Sequence, residues 1–298
     1  MSISLALGDL KEVTLPSGTV RYRERGSAER GSAEPLLFVH GALVTGDLWR
    51  LVVPELSSRY RCITPDWPLG SHQPAMSPDA DLSPQGLGRL IVSFLDALRI
   101  ESATLIGNDT GGALCQIVAT EHASRVSRLV LTDCDAFDIF PPRMFAYLKW
   151  LARMPGGLFM VAQSMRLGVN RGLPIAFGWL SKRPIPNDVM EGYVRPVISD
   201  AGVRRDASKL LRGLDPKVTE ATARRLADLR IPTLIAWARE DRFFPFSYGE
   251  RLAATIPNAR LEPIDDSYTF VAEDQPERLA QLIGAFLASG VREEVQPA

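Results

Sequence analysis

The stretch TLIGNDTGGALCQIVA, residues 104–119, decides the fold. Its apolar beginning predicts a strand, its centre a tight turn and its end a helix. Gly107 and Gly111 flank Asp109 in a G-x-D-x-G pattern, and small flanking residues let the chain turn sharply and push the central side chain out above a sheet. Asp109 is therefore the first candidate for a reactive group. The alternative is an ordinary helix-capping aspartate in a glycine-rich turn.

The residues around this turn predict an anion-binding site. Thr110 begins the predicted helix, and the amino end of a helix favours negative charge. A second segment, FVHGALV (38–44), places His40 and Gly41 directly after an apolar run. The backbone N–H groups of Ala42 and Thr110 are predicted to form an oxyanion hole. We expect His40 to brace its loop and to take no direct part in catalysis.

The rest of the chain alternates between strand-like and helical patterns. Residues 11–25 (KEVTLPSGTVRYRER) predict a hairpin, with two alternating runs around a Pro-Ser-Gly turn. Apolar strands alternating with amphipathic helices predict an α/β fold whose mostly parallel sheet is covered by helices on both faces. The strand-like runs are 35–40, 60–66, 103–107, 128–133, 232–238 and 259–264, and the helical patterns lie near 47–58, 84–98, 111–121, 246–256 and 276–288.

The alternation breaks between residues 137 and 216. This segment, called the inserted segment below, carries Phe, Met, Trp, Tyr and Leu at helical spacing with Pro and Gly between them. Active sites in such folds open at the carboxyl ends of the strands, so an insertion there predicts a helical cap, or lid. The predicted division is a core of residues 1–136 and 217–298 and a cap of residues 137–216. A packing appendage is the alternative.

Composition limits the partners. The 298 residues carry a formal net charge of −1, and no run of Lys and Arg exceeds two residues. These features predict no nucleic-acid partner and no membrane partner, and a small-molecule substrate or ligand instead. The three cysteines lack a CxxC spacing, which favours a reducing cytoplasm and predicts no metal site. No dinucleotide or phosphate-loop pattern appears, so no cofactor is expected. Oligomeric state has no sequence signal.

With these marks the chain resembles the α/β-hydrolase superfamily over nearly its whole length. Aspartate at the turn makes it similar to the haloalkane dehalogenase and epoxide hydrolase branch. That resemblance implies that Asp109 attacks carbon to form an alkyl-enzyme ester, which histidine-activated water then hydrolyses, while a second acid orients the histidine. It places the acid at Asp241 or at Asp135, and the sequence leaves both open. The matching stretches are HG (40–41), PDWPLGSH (65–72), GNDTGG (107–112) and AREDRFFP (238–245).

The chain departs from the family pattern where the histidine is expected. The family pattern resembles D-S-G-H-F-V, whereas residues 266–271 read D-S-Y-T-F-V. Thr269 therefore stands at the replaced-histidine position and Tyr268 at the preceding glycine. Neither hydroxyl is a base near pH 7, since the pKa of tyrosine is about 10. His72 is a candidate replacement base; His40, His72 and Trp67 are counted as possible pocket residues.

The residues that distinguish haloalkane dehalogenases from epoxide hydrolases are also altered. Dehalogenases resembling this chain usually carry a Trp after the nucleophile and often an Asn after HG, but here Thr110 and Ala42 stand there. Epoxide hydrolases protonate the leaving oxygen with cap tyrosines. Tyr147 and Tyr193 are candidates for that role, with simple packing as the alternative.

Loss of the histidine leaves Asp109 facing other carboxyl groups. Like charges and burial both raise a carboxyl pKa, which favours a protonated Asp109 near neutral pH. Three functions follow for a small, apolar substrate or ligand. The first is a hydrolase of the α/β-hydrolase superfamily with an atypical triad lacking His; the second is a non-hydrolytic lyase, isomerase or cyclase that uses Asp109 as general acid or base. The third is a ligand-binding protein without catalysis.

Overall fold

The computed structural model describes residues 6–26 and 34–289, and its centre is an eight-stranded sheet. The strands lie in the order β1-β2-β4-β3-β5-β6-β7-β8. The pairings β1–β2 and β2–β4 are antiparallel, and all later neighbours are parallel. The predicted fold class is confirmed. The strands are β1 (Leu10–Leu15), β2 (Gly18–Arg25), β3 (Leu36–Val39), β4 (Cys62–Pro65), β5 (Ala103–Asp109), β6 (Val126–Cys134), β7 (Thr233–Ala238) and β8 (Ala259–Ile264).

Helices cover the sheet. Every residue of β3, β4 and β7 is buried, as expected for parallel strands with helices on both faces. The α-helices within residues 34–289 are α1 (Val53–Leu56), α2 (Pro84–Ala97), α3 (Thr110–Glu121), α4 (Ala146–Leu151), α5 (Gly157–Ser164), α6 (Gly168–Arg171), α7 (Asn187–Ser199), α8 (Ala201–Gly213), α9 (Pro216–Leu226), α10 (Phe246–Thr255), α11 (Val271–Asp274) and α12 (Pro276–Ser289).

One predicted helix was wrong in form. The pattern at 47–58 is a 3₁₀ turn at Gly46–Trp49 followed by the short α1. Pro54 lies near the start of α1, where its missing N–H is harmless, whereas inside one continuous helix it would break a hydrogen bond. The apolar period of 47–58 therefore marked burial rather than an unbroken helix.

The inserted segment leaves the sheet after β6 and returns before β7. It contains α4 to α8, and α9 begins at its last residue. Side chains from α4, α5, α7 and α8 line one cavity together with Ala42 and Asp109, which follow or end β3 and β5. The segment thus covers the carboxyl ends of the central strands; its movement as a lid stays a prediction. Among residues 6–26 and 34–289, no helix has the length and apolar character needed to cross a membrane.

Candidate active site

Asp109 ends β5 and precedes α3 in a strained conformation. Its φ of 53° and ψ of −132° lie where non-glycine residues are rare. Glycines around this turn allow neighbouring segments of the chain to approach one another closely. A Cβ on Gly111 would lie 2.2 Å from the carbonyl oxygen of Val39, and one on Gly41 would lie 2.1 Å from Asp109 Oδ2. The chain therefore holds the Asp109 carboxyl against the turn after β3.

Two backbone N–H groups face the Asp109 carboxyl. Ala42 N donates to Asp109 Oδ2 at 3.1 Å. Burial raises the pKa of Asp109 to about 7, against the opposing effect of the N–H groups of Ala42 and Thr110, and the charge of Asp241 raises it further. The two N–H groups that were predicted to form an oxyanion hole thus hydrogen-bond to the Asp109 carboxyl group itself, at the amino end of α3.

Asp135 and Asp241, the two candidate acids, both lie beside Asp109. Asp135 is fully buried and accepts a hydrogen bond from Thr110 Oγ1 at 3.2 Å. Burial and the charge of Asp109 raise the pKa of Asp135 well above its usual range. Asp241 Oδ1 accepts hydrogen bonds from Phe243 N at 2.6 Å and Phe244 N at 2.8 Å, and burial raises the pKa of Asp241 to about 6.

Sequence reasoning missed Asp133 and Asn108. Asp133 is fully buried near the end of β6, and its two oxygens accept from Ala238 N at 3.0 and 3.2 Å. Burial and the charge of Asp241 raise the pKa of Asp133 well above its usual range. Asn108 Nδ2 donates to the carbonyl oxygens of Asp133 and Thr269. The available signal was a polar residue inside an otherwise apolar strand, since such residues need buried partners.

Thr269 lies in the loop between β8 and α11. Its side chain is fully buried, and its hydroxyl is near enough to Asp241 to lower the pKa of that carboxyl, though less than burial raises it. Thr269 Oγ1 and Asp241 Oδ2 nevertheless make no hydrogen bond of ordinary geometry with any described residue. The position that the family resemblance gives to histidine is thus next to Asp241, one of the two candidate acids, and it carries no base.

His40 braces the turn that holds Ala42. Its Nδ1 lies 2.8 Å from the carbonyl oxygen of Gly41, and its Nε2 accepts from Trp67 N at 2.9 Å. Burial lowers the pKa of His40 to about 4, so the ring is neutral. Trp67 is buried and donates through Nε1 to the carbonyl oxygen of Phe38. Neither side chain lines the cavity.

His72 is directed to a different partner. It is buried, and its Nε2 lies 3.2 Å from Asp206 Oδ2, on α8. It does not line the cavity that contains Asp109. His122, the remaining histidine of the chain, follows the far end of α3. No histidine of the chain therefore stands where it can replace the base.

The cavity above Asp109 is almost entirely apolar. Tyr147 and Tyr193 both line it, but Tyr147 Oη donates to the carbonyl oxygen of Ile175 at 2.8 Å. Tyr193 is fully buried, and burial together with the charge of Glu273 raises the pKa of its hydroxyl well above the usual range. Neither phenol makes a hydrogen bond to Asp109 among the described contacts. Other lining residues include Leu148, Leu158, Val161, Phe177, Val194 and Phe244.

Tyr268, which stands at the family's glycine position, packs away from the cavity. The guanidinium of Arg242 lies 4.6 Å from the Tyr268 ring centre and 4.7 Å from that of Trp179. Lys182 Nζ lies 5.2 Å from the same tyrosine ring. These cation–π contacts join the loop after β8 to the inserted segment next to Thr269. A glycine there would make none of them.

The raised pKa of Asp109 predicts that the site destabilises the fold at alkaline pH. A native pKa of about 7 means that folded Asp109 keeps its proton where the unfolded chain has lost it, so stability falls as pH rises towards 7. We expect Asp109→Asn to raise the free energy of unfolding by about 2 kcal/mol at pH 8. This value is smaller than the full pKa shift would give, because the Asp109 side chain lines the cavity and is not enclosed on all sides. At pH 4 we expect almost no gain.

Urea unfolding at both pH values measures this difference. Asp138→Asn is the matched control, because Asp138 is exposed and its pKa is lowered by partners that outweigh the effect of burial. An equal gain for Asp109→Asn at pH 4 and pH 8 would show that ionisation of Asp109 is not the cause.

Several known proteins are similar to this chain in sequence or in fold. Haloalkane dehalogenase 2 of Mycobacterium tuberculosis is 27% identical over 272 residues, covering 86% of this chain and 88% of the relative. A cis-3-alkyl-4-alkyloxetan-2-one decarboxylase of Xanthomonas campestris is 29% identical over 293 residues, covering 91% and 93%. The crystal structure of the ancestral haloalkane dehalogenase AncHLD2 is 26% identical with a TM-score of 0.76, covering 94% of this chain and 99% of that one.

The family match spans most of the chain. Residues 34–276 match the family described as alpha/beta hydrolase fold, a range that includes Ala42, Asp109, Asp241 and Thr269. The relatives confirm the resemblance to the dehalogenase-like branch. The protein therefore belongs to the α/β-hydrolase fold family and is a hydrolase-type enzyme related to the haloalkane dehalogenases.

Proposed function

We propose that the protein uses the Asp109 carboxylate as a nucleophile towards carbon in a small apolar electrophile. The observation that supports this most strongly is the placement of Asp109. Its side chain lies on a strained turn, faces an apolar cavity, and has one oxygen held by Ala42 N at 3.1 Å. With that oxygen fixed, the carboxyl group is oriented for attack through the other.

The second half of the reaction lacks its usual base. Hydrolysis of an alkyl-enzyme ester needs a water molecule that a base near neutral pH activates. Thr269 stands beside Asp241 in place of histidine, and His72 is turned to Asp206. Burial and neighbouring carboxylates raise the pKa of Asp133 and Asp135 well above the usual range, which favours their protonated forms, and a protonated carboxyl takes no proton from water. We therefore expect the ester to form and to hydrolyse slowly.

The cavity limits the substrate. Its wall is made of aliphatic and aromatic side chains, with Asp109, Thr110, Tyr147 and Tyr193 as its polar members. Such a wall binds an alkyl or aryl body by burial and gives a charged group no counterion. Suitable electrophiles are haloalkanes and epoxides with apolar substituents.

Intact-protein mass tests the proposal. The protein is incubated with a panel of haloalkanes, terminal epoxides and activated esters, and its mass is followed over time. We expect a stoichiometric mass increase from an alkylating member of the panel, located on the peptide that contains Asp109. Asp109→Asn removes the nucleophile with almost no change of shape, so no increase is expected from it. Alkylation of Asp109→Asn at the wild-type rate would contradict the proposal.

A second candidate function needs no activated water. One relative is named as a decarboxylase of oxetan-2-ones, four-membered lactones. In such a ring, Asp109 could attack the carbon that carries the ring oxygen and release the ring carboxylate. Loss of CO₂ would then form a C=C bond and expel Asp109 unchanged, so the atoms balance without water or cofactor. The absence of a base at Thr269 favours this route, and an alkene with CO₂ from a cis-dialkyl oxetan-2-one would identify it.

A further inference from the structure

The inserted segment exposes an unusual set of large apolar side chains. Between residues 144 and 175 they cluster on α4, α5, α6 and the turns beside them. Trp150 is 61% exposed, Met160 58% and Val169 75%, which is far from the burial expected of core residues. We call this set the outer apolar face. Its members are Met144, Trp150, Met154, Phe159, Met160, Leu167, Val169, Leu173 and Ile175.

Hydrogen bonds connect the turns and helices that carry these side chains. Tyr147 Oη, on α4, donates to the carbonyl oxygen of Ile175. Asn170 Nδ2, on α6, donates to the carbonyl oxygen of Ser164 at the end of α5, and Arg171 Nε donates to that of Met165. The exposed side chains therefore belong to neighbouring turns rather than to scattered positions.

The same part of the chain is strongly basic. Residues 139–187 contain seven Lys and Arg and no Asp or Glu, although the whole chain has a net charge of −1. Arg171, Lys182 and Arg183 pair with carboxylates elsewhere. The other four cations, Arg143, Lys149, Arg153 and Arg166, make no ion pair with any residue the structure describes. They alternate along the chain with the outer apolar face.

The helices beneath this face have a second apolar side. On α5, Leu158, Val161 and Ala162 line the cavity while Phe159 and Met160 are exposed. Ile175 belongs to both surfaces, since it lines the cavity and is 49% exposed. At Ile175, one side chain therefore separates the cavity from the outer apolar face.

We propose that the outer apolar face and its four cations dock the protein onto the surface of an anionic phospholipid bilayer. Exposed Trp, Phe and Leu with interspersed Lys and Arg is the composition of segments that lie in a membrane interface. Acidic lipid head groups complement the unpaired cations, and the acyl region accepts the apolar side chains. The whole-chain charge, which predicted no membrane partner, hides this local excess of positive charge.

Charge argues against a second copy of the chain as the occupant. A two-fold contact through this face would bring its unpaired cations against the same cations of the partner, with no acidic residue in 139–187 to offset them. A bilayer supplies negative charge across the whole surface. Because Ile175 belongs to both surfaces, docking would place the cavity wall beside the bilayer. Delivery of an apolar substrate from the bilayer would depend on the proposed function, whereas docking itself does not.

Vesicle sedimentation tests the docking. Full-length protein is mixed with vesicles of phosphatidylcholine alone or with 30% phosphatidylglycerol, at low and high salt. We expect binding to the anionic vesicles, at least tenfold weaker binding to the neutral ones, and weakening by salt. Trp150 is the most exposed tryptophan, so its fluorescence is expected to shift to shorter wavelength on binding.

Two pairs of variants separate the contributions. Trp150→Ser with Met160→Ser removes apolar area, and Arg153→Glu with Arg166→Glu reverses charge; each pair is expected to weaken binding more than tenfold. The matched controls are Leu10→Ser, which removes an exposed apolar side chain from β1, and Arg278→Glu, which reverses an exposed charge on α12. Both control variants are expected to bind vesicles like the wild type. Circular dichroism checks that every variant is folded.

Three outcomes would overturn the proposal. They are no vesicle binding at all, equal binding by the wild type and both variant pairs, and a dimer in solution that the same variants dissociate without any vesicle binding. Alkylation of Asp109 is measured separately, without lipid. Failure of the docking proposal therefore leaves the proposed function standing, and failure of the proposed function leaves the docking proposal standing.

Discussion

Thr269→His combined with Tyr268→Gly is expected to convert a single alkylation of Asp109 into repeated hydrolytic turnover. Thr269 is buried next to Asp241, whose Oδ2 has no hydrogen-bond partner among the described residues. An imidazole at this position would gain the Asp241 carboxylate to orient it. Tyr268→Gly frees the backbone beside it by removing the ring that packs on Arg242.

The expected gain is large because it restores a complete catalytic step. General-base catalysis typically contributes about 10²- to 10⁴-fold, so we expect hydrolysis of the Asp109 ester to accelerate within that range. The measurement is the rate at which the adduct mass disappears after excess substrate is removed. Thr269→Gln with Tyr268→Gly is the control, since glutamine adds a polar side chain but no base.

A gain in the glutamine control equal to that of histidine would point to admission of water rather than to base catalysis. No gain with histidine in a folded protein would mean that the site has diverged beyond this one position.

The rate of Asp109 alkylation is expected to rise with pH and then to level off above about pH 7. Only the ionised carboxylate attacks carbon, and burial raises the pKa of Asp109 to about 7. Below that pKa the ionised fraction grows about tenfold for each pH unit, so the rate should change roughly a hundredfold between pH 5 and pH 8.

Initial rates of adduct formation over this pH range, with saturating haloalkane, measure the profile. Asp241→Asn provides the internal check, because the charge of Asp241 helps to raise the pKa of Asp109. In that variant the midpoint is expected to move to lower pH. A rate independent of pH between 5 and 8 would show that Asp109 ionises at its ordinary value.

The centre of the sheet could be predicted from sequence because its strands are buried on both faces. The runs that became β3, β5, β6 and β7 are continuous and apolar, and their predicted bounds agree with the structure within two residues. The tight turn at Asp109 could also be predicted, because Gly107 and Gly111 flank it between an apolar strand and a helix. The prediction of one continuous helix at 47–58 was wrong, because the spacing of apolar residues reports which side chains are buried and not how the backbone is hydrogen-bonded.

The site was harder to predict because contacts between distant segments create it. Asp133 and Asp241 are separated by more than one hundred residues, and only the pairing of β6 with β7 brings them together. The partner of His72 is likewise set by α8, which no local pattern connects with residues 65–72. Outward apolar side chains of the inserted segment could not be separated from cavity-lining ones, since both occur at helical spacing on α5.

One single-turnover experiment in H₂¹⁸O tests most directly whether Asp109 forms an ester that the site fails to hydrolyse. Protein in excess is mixed with an alkylating haloalkane or epoxide, and the peptide containing Asp109 is analysed by mass. We predict that Asp109 carries the alkyl group and no ¹⁸O. An unmodified peptide with ¹⁸O in the Asp109 carboxyl, together with released alcohol or diol, would contradict the account, because it would show that the site activates water without histidine.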